Sequence, residues 1–191
     1  MEDFSVLYSY FEKIGKHELT DADKAELTSV FKKEQFKKKE RVFRVDEENT
    51  RHYYIEEGLL RMYIIDQSGK EFNVLFAKER QWLGDLATPA ATSYFMDAVE
   101  NTTVFSVDEN GYALLIKKYP QLGSYIRRSY IFLQKRFVSI LSKTAEENYE
   151  QLLKNDSNLV QRLPQYHISS YLGVTPVFLS KIIAKKARKR D

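Results

Sequence analysis

Apolar and polar residues follow two different rhythms along this chain. Residues 4–31 have helical spacing, and Thr20 followed by Asp21 and Asp23 marks the start of a second helix. From Gln35 the pattern changes to short β-branched and aromatic runs, separated by glycine turns about every ten residues. This change of rhythm predicts helices followed by an antiparallel β-roll or jelly roll.

A second helical region begins after Asp108, which is a good N-cap residue. Beyond Pro120, residues recur in alternating steps of four and three, the spacing of a heptad seam. The members of this seam are Leu122, Ile126, Ser129, Leu133, Arg136 with Phe137, Ile140 and Thr144. Such a seam either packs on the chain's own β-roll or pairs with its twin in a homodimer, and we favour the homodimer.

The segment 162–183 is typical of a helix-turn-helix. Pro164 and Pro176 suit first helical positions, Thr175 suits an N-cap, and Gly173 suits the end of the first helix. The small Ser169 lies where two helices would cross closely. The apolar positions between the two helices are Ile168, Leu172, Val174, Leu179 and Ile182. An ordinary helical hairpin shares this spacing, but the turn, the caps and the small residue together favour a helix-turn-helix that enters the major groove of DNA.

Two sets of residues are candidates for DNA contact. Those expected to face the bases are Thr175, Pro176, Val177, Phe178, Ser180 and Lys181. Those expected to contact phosphates are Arg162, Lys185, Lys186, Arg188, Lys189 and Arg190. Because Pro176 and Val177 can offer only apolar contact, specificity is expected to rest on Ser180, Lys181, close fit and DNA shape.

The charge distribution supports a polyanionic partner. Residues 117–191 hold 15 Lys or Arg against 5 Asp or Glu, whereas residues 1–116 hold 15 against 22. A basic C-terminal module suits double-stranded DNA, although a basic tail is often simply solvated.

Composition excludes several other classes of protein. The chain has no cysteine, which excludes disulfides, thiolate metal sites and a thiol nucleophile. We expect a cytoplasmic protein, because there is no signal peptide and no apolar run long enough to cross a membrane. Jelly rolls also occur in metal-dependent enzymes, but His17, His52 and His167 fall in separate elements and are expected at surface or capping positions. Neither a metal site nor a catalytic constellation is predicted, and no cofactor is expected.

Three motifs occur in a fixed order: 53–58 (YYIEEG), 66–71 (DQSGKE) and 83–86 (LGDL). With them, the chain resembles the Crp/Fnr family of bacterial transcription regulators over residues 5–185. Residues 162–176 resemble its Bacteroidetes-type branch. The resemblance implies an α+β fold with an N-terminal antiparallel β-roll of the cyclic nucleotide-binding type. It further implies flanking helices, a long dimerisation helix and a C-terminal helix-turn-helix domain.

The same resemblance suggests boundaries and partners. The expected domains are a β-roll sensor at 1–118, a dimerisation helix at 119–145 and a DNA-binding domain at 146–191. Double-stranded DNA, a second copy of the chain, RNA polymerase and an unidentified small effector are the implied partners, with no membrane. The alternative is a non-enzymatic ligand sensor whose basic module binds a protein partner.

The chain departs from members of this family that bind cyclic AMP. The resemblance places a ribose-binding carboxylate at Asp85, but it places the phosphate-binding Arg-Ser pair at Ser93-Tyr94. Because no Lys or Arg occurs from Gln81 to Ile116, we expect no ordinary cyclic AMP binding. The candidate effector pocket consists of Trp82, Gly84, Asp85, Leu86, Thr92, Ser93 and Tyr94. The same residues equally suit a packed core.

Overall fold

A computed structural model describes residues 2–46, 51–85 and 92–188 of the chain. Its helices are α1 (Ser5–Gly15), α2 (Asp21–Val30), α3 (Glu109–Lys118), α4 (Gly123–Ser142), α5 (Ala145–Asn155), α6 (Ser157–Arg162), α7 (Gln165–Tyr171) and α8 (Pro176–Arg188). Its strands are β1 (Lys32–Phe36), β2 (Arg41–Phe43), β3 (Arg51–Glu57), β4 (Leu59–Ile65), β5 (Glu71–Lys78), β6 (Trp82–Leu83), β7 (Phe95–Ala98) and β8 (Thr102–Asp108). A short 3-10 turn, Pro120–Leu122, precedes α4.

The described strands form two four-stranded sheets. Their orders are β1–β8–β3–β6 and β2–β7–β4–β5. The pairs of β8 with β1 and β3, of β3 with β6, and of β2 with β7 are antiparallel. Strands adjacent in space are mostly distant in sequence, as a jelly roll requires. The predicted α+β fold with an N-terminal antiparallel roll is therefore confirmed.

An aromatic-rich core joins the first sheet to helices α1, α2 and α3. Tyr54 and Phe105 from the sheet pack in one cluster with Phe11 of α1, Leu27 of α2 and Leu115 of α3. All five side chains are essentially fully buried. Burial of each such side chain contributes about 1.5–3 kcal/mol, so this cluster fixes the helices on the sheet.

Two helix starts predicted from the sequence are confirmed. Thr20 caps α2 in a reciprocal capping box with Asp23, and the Asp108 carboxylate accepts a hydrogen bond of 2.8 Å from the Gly111 amide at the start of α3. The Lys118 ammonium also contacts Asp23, and this contact, together with the capping hydrogen bonds, holds the pKa of the Asp23 carboxyl well below its ordinary value.

Gly58 makes the sharp turn from β3 into β4. Its φ of 101° lies in the region that favours glycine, and its amide donates to the Glu79 carboxylate at 3.0 Å. A Cβ at this position would lie 2.6 Å from the Asn101 carbonyl oxygen. The turn therefore requires glycine for both backbone and space.

The chain divides into two compact units. The first comprises the chain up to Met62 together with Phe76–Tyr130, and the second comprises Tyr63–Leu75 together with the chain from Ile131. The second unit thus contains the hairpin between β4 and β5, the C-terminal half of α4, and α5 to α8. The domain boundaries drawn from the sequence, after residues 118 and 145, stay predictions.

The second unit contains two helices that the sequence interpretation did not separate. Thr144 caps α5 in a capping box with Glu147, and Asp156 caps α6 by accepting from the Leu159 amide at 3.0 Å. The Thr-x-x-Glu spacing at 144–147 was a local signal for the first of these starts.

Two histidines differ from the expectation of surface or capping positions. His17 is exposed, with Nδ1 3.0 Å from the Gly15 carbonyl oxygen. His52, in contrast, is buried on β3 with Nε2 2.9 Å from a Glu109 carboxylate oxygen, and His167 is buried on α7. The prediction was wrong for these two because each finds a partner on a segment distant in sequence.

Candidate nucleic-acid interface

The segment 164–188 contains two helices joined by a tight turn. Gly173 follows the end of α7 with a φ of 70°, and α8 begins at Pro176. The Thr175 hydroxyl oxygen accepts a hydrogen bond of 3.2 Å from the Phe178 amide. Thr175 therefore caps α8 as predicted, and Gly173 supplies the left-handed residue that the turn needs.

The contact between α7 and α8 has the predicted burial pattern at its centre. Ile168, Leu179 and Ile182 are buried, and so is the small Ser169. The Val174 amide donates to the Ser169 carbonyl oxygen at 2.9 Å, which ties the turn to α7. This packing leaves the opposite face of α8 exposed.

All six residues predicted to face DNA bases are exposed, five of them on α8 and Thr175 directly before it. These residues are Thr175, Pro176, Val177, Phe178, Ser180 and Lys181. Val177 is 67% exposed and Phe178 is 50% exposed. Val177 and Phe178 therefore present apolar surface to solvent at the start of α8.

A basic hollow continues this face toward the C-terminal end of α8. Lys181, Ala184, Lys185 and Arg188 line it, and its volume is about 470 Å³. Three positive charges along one helix face suit a polyanion. Of the other predicted phosphate contacts, Arg162 ends α6 with a guanidinium nitrogen 3.4 Å from Asn158 Oδ1. Lys189 and Arg190 lie outside the described residues.

Two lysines of α8 form ion pairs with α5. Lys185 Nζ lies 2.7 Å from a Glu146 carboxylate oxygen, and Lys186 Nζ lies 3.4 Å from Glu150. Such pairs between partly exposed groups are weak, about 0–1 kcal/mol. A phosphate can therefore displace the carboxylates at little cost.

A buried polar network in the second unit connects β5 to α7. The Asn73 amide donates to Ser170 Oγ at 3.0 Å, and Ser170 Oγ donates to the Glu71 carbonyl oxygen at 2.7 Å. The Asn73 side-chain amide donates to the His167 carbonyl oxygen at 3.2 Å. Because β5 is the last strand in its sheet among the described residues, these bonds satisfy backbone groups at a sheet edge.

Arg136 of α4 completes this network. Its guanidinium donates to the carbonyl oxygens of Val74 at 2.7 Å, Asn73 at 3.1 Å and Tyr171 at 2.8 Å. The guanidinium also lies 3.9 Å from the centre of the Tyr171 ring. Burial lowers the pKa of Arg136 and raises that of Tyr171. Sequence interpretation placed Arg136 in the heptad seam and missed Asn73, since no local pattern signals this contact.

An exposed apolar stripe follows α4. Its members are Ile126, Tyr130, Leu133, Phe137, Ile140 and Leu141, which are spaced so that they share one helix face. Four of the predicted seam residues, Ile126, Leu133, Phe137 and Ile140, belong to this stripe. Ser129 is half-buried on α4. Leu122 differs from the prediction because it precedes α4 and is fully buried in the first unit's core.

The described candidate effector residues take part in two sets of contacts. Asp85 accepts a hydrogen bond of 2.6 Å from the Thr92 hydroxyl, and the same hydroxyl oxygen accepts from the Tyr94 amide at 3.2 Å. Gly84, which directly precedes Asp85, is buried, whereas Ser93, which directly follows Thr92, is exposed. Leu86 lies outside the described residues. These contacts hold the chain segments around Asp85 and Thr92 together.

Trp82 packs in an aromatic cluster of the first unit's core. Its ring lies 5.3 Å from Tyr54, 5.8 Å from Tyr125 and 6.2 Å from Tyr112, measured between ring centres. Burial raises the pKa of Tyr54 and of Tyr112 to about 12, and raises that of Tyr125 further. Trp82 therefore belongs to the packed core of the first unit, and the predicted effector pocket stays a prediction.

The described part of the chain contains neither a group of metal-binding side chains nor a membrane-spanning helix. No group of three or more His, Asp or Glu side chains is arranged to hold a metal ion within residues 2–46, 51–85 and 92–188. Over the same residues, no helix combines the length and the apolarity needed to cross a membrane.

Comparison with known proteins shows which family and which solved structures this arrangement of elements resembles. Residues 33–119 match the model of the cyclic nucleotide-binding domain family. FixK2 from Bradyrhizobium japonicum is similar in structure, with a TM-score of 0.74 and 18% identity over 84% of this chain and 86% of that chain. A mutant of CooA from Carboxydothermus hydrogenoformans is also similar in structure, with a TM-score of 0.72 and 17% identity over 94% of this chain and 84% of that chain.

A further similar structure is a transcriptional regulator of the CRP/FNR family from Thermus thermophilus. Its TM-score is 0.68, with 17% identity over 83% of this chain and 87% of that chain. No curated protein sequence matches significantly. The Bacteroidetes-type branch stays a prediction. Residues 33–119 thus match the cyclic nucleotide-binding domain family, and the chain has the fold of the Crp/Fnr regulators that its sequence resembles.

Proposed function

We propose that this protein is a non-enzymatic, DNA-binding transcription regulator of the Crp/Fnr type. It acts as a homodimer, reads palindromic DNA through α8 and is not gated by cyclic AMP. The observation that carries the proposal is the exposed face of α8, which begins with large uncovered side chains and ends in the basic hollow. The proposal places the protein in the cytoplasm, with RNA polymerase as a further partner.

The face of α8 supports insertion into a major groove. Base edges are contacted by the N-terminal residues of a recognition helix, and Lys181 supplies the long donor that can reach guanine or a phosphate. Lys185 and Arg188 lie farther along the same face and suit phosphate contact, as do Arg162 and Lys186. Lys189 and Arg190 extend this set in the sequence.

Selection from a random duplex pool tests the DNA proposal. We expect purified protein at near-physiological salt to enrich a two-fold palindrome. Lys181→Ala should cost about 1–3 kcal/mol at one base pair if Lys181 reads a base, or weaken all sequences equally if it contacts phosphate. Lys117→Ala, an exposed lysine of α3, is the matched control. Absence of any enriched sequence would contradict the proposal and favour a protein partner for the basic module.

The apolar stripe of α4 supports the homodimer. Exposed apolar residues at steps of three and four form the seam by which two such helices pair, and Phe137 and Leu141 are the most exposed members of this stripe. A two-fold dimer presents two recognition helices to half-sites about 34 Å apart. Dimerisation therefore explains both the stripe and the need for a palindromic site.

A pair of phenylalanines on α4 gives a matched test of the dimer. Phe137 lies in the stripe and is 64% exposed, whereas Phe132 is 48% exposed on another face of the same helix. We expect Phe137→Glu to shift the sedimentation equilibrium toward monomer and Phe132→Glu to leave it nearly unchanged. Equal effects of both substitutions, or no effect of either, would contradict the proposed seam.

The missing cation supports independence from cyclic AMP. Ser93 and Tyr94 stand where the resemblance places the phosphate-binding Arg-Ser pair, and neither can provide a positive charge. Arg61 is buried in the first unit, but its guanidinium makes a two-point ion pair with Asp97 at 2.6 and 2.8 Å. We therefore expect titration calorimetry to show no cyclic AMP binding in the micromolar range, and micromolar binding would refute this part of the proposal.

A further inference from the structure

The exposed face of α8 changes chemically along its length. Its first turn presents Pro176, Val177 and Phe178, which have no side-chain hydrogen-bond donor or acceptor. Its positive charges begin at Lys181 and continue to Arg188. The end of a recognition helix that meets the base edges is thus the apolar end, and the cationic end lies nearer the phosphates.

The two hydroxyls at this apolar end are engaged within the helix. Thr175 Oγ1 accepts the Phe178 amide at 3.2 Å, and Ser180 Oγ donates to the Pro176 carbonyl oxygen at 3.0 Å. A Ser180 hydroxyl that donates to its own backbone is poorly placed to donate to a base. Ser180 can then still accept a hydrogen bond from a base, but to donate one it must give up its bond to the Pro176 carbonyl oxygen.

The major groove offers one apolar group on the base edges. This group is the C5-methyl of thymine, since the other edge groups are hydrogen-bond donors and acceptors. We infer that Val177 and Phe178 read thymine C5-methyl groups, an inference that rests on the proposed function. The operator half-site therefore carries thymine at the position facing the first turn of α8, and Lys181 sets the contact beyond it.

Exposure of the two side chains supports a direct contact. Val177 is 67% exposed and Phe178 is 50% exposed, so each retains apolar surface that a methyl group can cover. Burial of one methyl group is worth about fourfold in affinity. Because a palindrome repeats the contact, loss of both methyl groups should cost about 15-fold.

Replacement of thymine by deoxyuridine tests the inference, since it removes the methyl group and keeps base pairing. The probe is the palindrome enriched by wild-type protein, substituted at one thymine position of each half-site in turn. Fluorescence anisotropy at fixed salt should show a loss of about 15-fold at one symmetric position. Substitution in the spacer between half-sites, which is not expected to touch α8, is the DNA control.

Protein variants link the methyl group to the side chains. In Val177→Ala and Phe178→Ala, the penalty for deoxyuridine should shrink by severalfold while the salt dependence of binding stays that of wild type. Leu114→Ala, which truncates an exposed side chain on α3, should leave the penalty unchanged. Circular dichroism and thermal unfolding check that each variant is folded.

Failure of this inference differs from failure of the proposed function. A palindrome that is enriched but binds equally well with deoxyuridine at every thymine position overturns methyl reading and leaves the regulator intact. An enriched half-site without thymine has the same meaning. If no duplex is enriched, the proposed function fails and the inference fails with it.

Discussion

Arg136→Met should destabilise the second unit more than any surface substitution on the same helix. Methionine keeps much of the side-chain volume but removes the donors that serve the carbonyl oxygens of Asn73, Val74 and Tyr171. It also removes the cation from the face of the Tyr171 ring. Three acceptors at the β5 edge and at the end of α7 then lose their partner together.

The contacts set the size of the effect. A hydrogen bond to a charged group is worth about 1.5–3 kcal/mol, so three bonds give a gross loss of about 5–9 kcal/mol. Two terms offset this loss: the guanidinium no longer needs to be desolvated, and water reaches a side chain that is only half-buried. We therefore expect a net loss of about 2–4 kcal/mol in the free energy of unfolding.

Denaturant unfolding followed by circular dichroism measures this loss, with all proteins at one concentration because the proposed dimerisation would add to stability. Lys135→Met is the matched control, since Lys135 is an exposed cation on the same helix. We expect the control to change stability by less than about 0.5 kcal/mol. The reasoning is refuted if Arg136→Met and Lys135→Met unfold at the same denaturant concentration.

Three further predictions concern other parts of the chain. Gly58→Ala should lower the free energy of unfolding by about 2–4 kcal/mol, because the added Cβ would lie 2.6 Å from the Asn101 carbonyl oxygen. Gly69→Ala adds a Cβ that meets no atom within 4 Å, so it should lower the free energy of unfolding by only about 1 kcal/mol. Denaturant unfolding measures both losses. Glu146→Gln removes the carboxylate paired with Lys185 and should raise DNA affinity about two- to fivefold in anisotropy titrations; weaker binding would contradict this. Burial raises the pKa of Tyr54 and of Tyr112 to about 12, so stability should be retained below pH 10 and fall progressively as the pH rises from 10 toward 12, as alkaline unfolding can measure.

Local signals in the sequence account for much of the fold. The alternation of strands, the caps at Thr20 and Asp108, and the turn at Gly173 each depend on residues only a few positions apart. Such signals act through backbone geometry and nearby hydrogen bonds, which the order of residues determines directly. The β-roll and the two helices at 165–188 could therefore be predicted from the sequence alone.

Contacts between distant segments account for the differences. Leu122 fits the heptad spacing of α4 as well as Phe137 does, but only the structure shows that Leu122 turns into the core of the first unit. His167 is buried because Asn73, nearly a hundred residues away, supplies a partner for its helix. The aromatic contacts of Trp82 could not be predicted for the same reason, since its neighbours Tyr10 and Tyr125 come from helices at opposite ends of the first unit's sequence.

For the proposed DNA recognition, the position of each charge matters more than the net charge does. Counting residues makes the C-terminal part strongly basic, yet Lys185 and Lys186 already face Glu146 and Glu150. No ion pair of Lys181 or Arg188 is found among the described residues, and both line the basic hollow. A phosphate that reaches Lys181 or Arg188 displaces no carboxylate of the described residues, whereas one that reaches Lys185 competes with Glu146. The salt dependence of binding should therefore fall more for Arg188→Ala than for Lys186→Ala, although the two substitutions remove the same formal charge.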